Sequence, residues 1–111
     1  MKGTAVIRFT SKFEYWDYTT SQDPVTGQVI DTFHSSGDIN CLVVPTPSSI
    51  DIFTKEGLHV GAHVRKLVDR RGNVILRDAN GLEYFMRVFQ SVPQYNAYGI
   101  LEGWKSQLKR V

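Results

Sequence analysis

Cysteine is almost missing. The 111-residue chain has one, Cys41, so no disulfide can form within it, and the composition fits a reducing compartment. Long apolar runs are missing as well. None approaches the ~20 residues a helix needs to cross a bilayer, so no membrane association is expected. The opening "MKGTAVIRF" has neither the apolar stretch nor the cleavage site of an export leader. Neither sign of charge dominates: 13 Lys and Arg stand against 11 Asp and Glu. A net +2 falls short of the clustered basic excess that marks nucleic-acid binders. There is no phosphate-cradling glycine loop, no nucleophile elbow and no zincin motif.

Residues able to do chemistry are sparse. His59 and His63 are four apart, a spacing that suggests a metal pair, but two ligands leave a zinc site incomplete. Cys41 lies in "INCLVV", where apolar neighbours favour a small core residue over a nucleophile. The sequence therefore predicts no catalytic residue, no metal and no cofactor.

What is present is turn chemistry between β-rich segments. In "DRRGNVILRDANG", residues 69–81, the pattern Asp-x-x-Gly occurs twice. Asp first and Gly fourth suit a type I turn closed by a left-handed residue, a three-residue hairpin loop with a glycine bulge. Asp69-Arg70-Arg71-Gly72 and Asp78-Ala79-Asn80-Gly81 thus predict a three-stranded meander over 62–69, 74–77 and 82–89. The turn type fixes the register. Val68 faces Val74, Leu67 faces Ile75, Leu76 faces Tyr84 and Arg77 faces Glu83. Strict alternation places Val64, Lys66, Val68, Val74, Leu76, Tyr84, Met86 and Val88 on one face, a core face apart from Lys66. The other face carries an apolar strip, Leu67, Ile75 and Phe85, framed by Arg77, Glu83 and Arg87. An exposed strip of that kind predicts a subunit interface.

Elsewhere, residues 4–9, 13–19, 28–34 and 39–44 read as strands, with turns at "DPVTG" and at Ser35–Asp38, and the chain ends in a strand over 99–111. Residues 45–57, "PTPSSIDIFTKEG", read differently. Two prolines, no clean alternation and a helix-capping Ser48/Ser49 predict a long loop. Its Pro45, Thr46, Pro47, Ile50, Asp51, Ile52, Phe53 and Lys55 are the candidate partner- or channel-facing residues. The expectation is all-β: one domain over 1–111, a small antiparallel barrel or sandwich of seven to eight short strands with one long loop.

The order of segments, a short N-terminal β segment, "DPVTGQVIDTF", "INCLVVPTPSSID", the meander and a last strand ending in "LKRV", resembles the head-to-tail joining proteins of tailed bacteriophages, the stopper or head-completion group. The resemblance covers nearly the whole chain in order and texture, and no residue carries over by identity. It implies a barrel protomer in a homo-oligomeric ring of the virion neck, assembled in the host cytoplasm. Its partners would be the portal or adaptor and tail proteins, with transient contact to the DNA that it helps to retain. The competing expectation is a single-stranded nucleic-acid-binding barrel of OB-like kind, because Arg65, Arg77 and Arg87 share a face with Phe85 and Phe89.

Overall fold

Six strands close into an antiparallel barrel in a computed structural model that describes residues 9–47, 49–77 and 80–110. They are β1 (Ser11–Gln22), β2 (Val29–Pro45), β3 (Ile50–Thr54), β4 (His63–Val68), β5 (Met86–Tyr95) and β6 (Leu101–Arg110). Around the barrel the order is β1-β2-β3-β6-β5-β4, with β4 returning to β1. No helix is present among the described residues. The all-β barrel class expected from the sequence is what forms, with six strands among the described residues where seven or eight were expected.

The strand count fell for a physical reason. Ser35–Asp38 is no turn: β2 runs through it as one strand of 17 residues. The pairing with β1 slips between Glu14 and Trp16, and Gly37 takes φ +93° at that slip. A glycine in the left-handed region lets a strand absorb an extra residue as a bulge and continue. The expected strand at 4–9 lies outside the described residues, apart from Phe9.

The Asp-x-x-Gly register holds where it is described. Asp69 N–H donates to Asn73 O at 2.9 Å, Ile75 N–H to Leu67 O at 2.8 Å and Tyr84 N–H to Leu76 O at 2.9 Å. Val68 bridges Val74, and Arg77 bridges Glu83. Residues 78 and 79, the first half of the second turn, lie outside the described residues. The meander is short, because β5 then pairs with β4 directly at His63↔Arg87 and Val64↔Met86.

The two expected faces of β4 do not persist along it. Lys66 has φ +51°, and the pairing with β1 shifts at the same place, between Lys12 and Glu14. This bulge reverses the alternation, so Val64 and Leu67 both point inward and both are fully buried. Leu67 is therefore a core residue. Ile75 is half-buried against the core, and Phe85 is half-buried. The apolar strip predicted as an exposed interface does not exist as such. Only its frame, Arg77, Glu83 and Arg87, is exposed.

The long loop is corrected too. Residues 50–54 form β3, between β2 and β6. Thr46 and Ser49 close the β2–β3 hairpin: Thr46 N–H donates to Ser49 O at 3.0 Å. Ser48, the expected helix cap, lies outside the described residues. Ile52 and Thr54 point into the barrel and are fully buried. The inward alternation Ile50-x-Ile52-x-Thr54 was masked in the sequence by a polar inward residue, Thr54, and an aromatic outward one, Phe53. Phe13, Cys41, Ile52, Val64, Leu67, Leu76, Val88 and Leu108 fill the interior.

Candidate interaction surface

Two strand pairs are longer than the barrel needs. β1 and β5 both run antiparallel to β4, and both continue past His63, where β4 begins. They therefore leave the barrel at the same end, each with its hairpin partner. Beyond Trp16 and Ser35, β1 and β2 form a two-stranded ribbon as far as Gln22↔Val29, a reach of about 20 Å. Beyond Pro93↔Trp104, where β3 ends, β5 and β6 form a second, shorter ribbon of two pairs, closed by a turn at residues 96–100. The residues from 55 to 62 cross this end and tie its sides together: Leu58 N–H donates to Ser91 Oγ, His59 N–H to Tyr15 Oη, and Tyr18 Oη to Val60 O.

The first ribbon is acidic. Residues 17–40 hold Asp17, Asp23, Asp31 and Asp38 and no Lys or Arg, which leaves −4 there and +6 on the rest of the chain. Its tip follows from local chemistry. Asp23 Oδ1 accepts from Val25 N–H at 2.8 Å and from Thr26 N–H at 3.3 Å, which lowers the Asp23 pKa, and Gly27 closes the turn at φ +74°. The apolar side chains near this tip face solvent: Val25 is 91% exposed and Val29 62%. At the second tip, Asn96 Oδ1 accepts from Tyr98 and Ile100 N–H, leaving Tyr95, Tyr98, Ile100 and Leu101 exposed.

Rings brace the base of the acidic ribbon. Tyr18 stacks on His59 at 4.4 Å and leans on its cross-strand neighbour Phe33 at 5.3 Å. Phe33 stacks on His63 at 3.9 Å, and Phe85 covers the other side of His63 at 4.3 Å. Arg65 lies over Trp16 and Phe85 at 4.3 and 5.0 Å. Cross-strand aromatic contacts of this kind stiffen a ribbon that would otherwise be marginal. His63 is buried, and neither of its ring nitrogens has a hydrogen-bond partner. Burial, then the Arg65 and Arg87 charges, hold its pKa below the usual histidine value. His59 is turned away to Asp17, Nδ1 to Oδ1 at 2.9 Å. The rings of Tyr18 and Phe33 stand between the two histidines, so they do not converge on a common point.

Beside this base lies a groove of about 470 Å³. Val60 and Phe89, both about half exposed, give it an apolar wall, and Arg87, Lys109 and Arg110 give it a cationic rim. The cations gather because Arg87 pairs with Lys109 across β5 and β6, and Met86 with Arg110. Lys109 Nζ sits 3.7 Å from the Phe89 ring centre, and Arg110 packs over Tyr84 at 4.5 Å. Among the described residues, no carboxylate forms an ion pair with any of the three.

The residues predicted to meet partners are dispersed. Ile52 is core. Ile50 and Phe53 are half-buried, with Phe53 stacked on Phe9 at 6.1 Å. Asp51 pairs with Lys105 at 3.6 Å, and Lys55 lies 5.6 Å from the Phe9 ring. Thr46 is half-buried in the hairpin turn and Pro47 is exposed. Arg77 pairs with Glu83 at 3.4 Å, and of the predicted interface set only Arg87 joins the groove. Cys41 is fully buried, and burial pushes its pKa up to about 12, so the thiol stays protonated and inert. The ribbons were missed, although 24 residues without a single Lys or Arg and the aromatic turn "QYNAYGIL" were signals in plain view. No protein-family model, curated protein or solved structure matches this chain.

Proposed function

We propose that this chain is a structural subunit of the neck of a tailed bacteriophage, forming a ring that joins the portal and head to the tail and helps retain packaged DNA. One observation carries the reading: two ribbons overshoot the barrel at one end and hold apolar side chains out in solvent. An isolated two-stranded ribbon is marginal in water, and its open edges invite pairing. Such ribbons make sense when a neighbouring subunit covers them. The segment order supports the same reading through its resemblance to head-to-tail joining proteins. In this role the chain is not an enzyme and needs no cofactor.

A phage carrying a stop codon in this gene tests it. Lysates should contain separate tails together with heads that lose their DNA, and adding the purified protein should restore joined particles. Normal infectious virions from the mutant would overturn the reading. The groove beside Phe89 favours a second reading, a single-stranded nucleic-acid-binding barrel, since a cationic rim next to an exposed ring suits a stacked base. The other ring of that face, Phe85, is occupied by His63 and Arg65. Sub-micromolar oligonucleotide affinity at physiological salt, lost in Phe89→Ala, would favour that alternative.

A further inference from the structure

We propose that the acidic β1–β2 ribbon of one copy docks in the Arg87/Lys109/Arg110 groove of a second copy, giving a head-to-tail contact. The proposal rests on the ring reading and names the surfaces that would build the ring. Charge complementarity selects the occupant. The ribbon carries three aspartates, Asp17, Asp23 and Asp31, and no Lys or Arg, and only Asp17 has an ion-pair partner, His59. The groove carries three cations with no ion-paired carboxylate among the described residues. The apolar surfaces match as well, with Val25 and Val29 at the tip and Val60 and Phe89 in the groove, all more than half exposed.

The chain's own ribbon cannot supply the contact. Tyr18, at the ribbon base, already lines the groove, and the strand runs on from there to Gln22 before it turns. The turn thus starts about 13 Å beyond the groove, pointing away from the barrel. A second copy must therefore provide it. The two surfaces are different patches of one molecule, so the contact is heterologous, and it closes into a ring when its rotation permits.

Disulfide trapping tests the contact, because buried Cys41 leaves the surface free of native thiols. The double variant Val25→Cys/Val60→Cys, oxidised at low salt, should give a ladder of covalent dimers, trimers and higher species. Adding Asp23→Asn and Asp31→Asn to the ribbon, or Arg87→Gln and Lys109→Gln to the groove, should reduce the ladder at least tenfold. Circular dichroism melting should show these variants folded. Asn keeps the acceptor that forms the tip turn, and the substituted positions are at or near the surface. Dimers from Val25→Cys alone would mean tip-to-tip contact and overturn the proposal. No ladder, with rings still assembling on phage heads, would overturn it while leaving the ring reading intact. A ladder without rings on heads would uphold the contact and sink the neck reading. An oligonucleotide bound by the wild type, released by Arg87→Gln/Lys109→Gln with no ladder formed, would assign the groove to nucleic acid and overturn the proposal.

Discussion

Ile52 shows how much can turn on one side chain. As part of a loop it would tolerate a charge; as an inward residue of β3 with no exposed surface it cannot. An unpaired buried carboxylate costs several kcal/mol, of the order of a small domain's whole stability. Ile52→Asp should therefore abolish cooperative melting, as Leu76→Asp should, whereas the exposed Val25→Asp should melt within a few degrees of wild type. His63 makes a second prediction. Its pKa is lower in the folded protein than in the unfolded chain, so below the ordinary histidine pKa, ~6.5, the unfolded chain binds the proton more readily. The stability from its neutral ring is fully present above that pH. It is lost as pH falls through ~6.5 towards the lower folded value. Thermal melts from pH 8 to pH 5 should show this loss, and His63→Phe, which keeps the ring stack, should flatten it. Asp17 acts in a separate window. Burial raises its pKa, but hydrogen bonds from His59 and the Tyr18 N–H outweigh this, so its contribution disappears only below about pH 4.

At the level of elements, the hairpin register was legible because Asp69 and Gly72 have side-chain and backbone requirements that only one turn satisfies. The Asp69 carboxylate accepts from Arg71 and Asn73 N–H, and Gly72 takes φ +84°. The β4 bulge was not legible, because a lysine occupies the left-handed position and announces nothing. That one residue moved Leu67 from the outer face to the core. β3 was hidden by the prolines just before it, Pro45 and Pro47, and by Thr54 pointing inward. Its position against β6 depends on Gly103, a requirement visible only in three dimensions. A Cβ on Gly103 would lie 2.6 Å from the Thr54 carbonyl oxygen and 2.7 Å from the Phe53 ring. Gly103→Ala should therefore push β3 and β6 apart. Overpacking of this kind costs about 1–3 kcal/mol, a fall of about 5–15 °C in Tm. A melting temperature equal to wild type would show that the two strands separate without cost.

The whole molecule is elongated and unevenly charged. Its radius of gyration, 16.2 Å, exceeds the about 13 Å of a compact chain this size, as projecting ribbons require. The acidic ribbon leaves one end, while Lys66, Arg70, Arg71 and Arg77 lie toward the other, where β4 ends and the meander begins. Composition alone, at +2, concealed this separation. In the proposed neck the same asymmetry orients each copy relative to its neighbours. Electron cryo-microscopy of DNA-filled heads, incubated with the purified protein, tests the central claim most directly. The account predicts a ring of density beneath the portal, absent without the protein, in which each barrel sends a ribbon onto its neighbour. Heads that remain bare at the portal under saturating protein would contradict it.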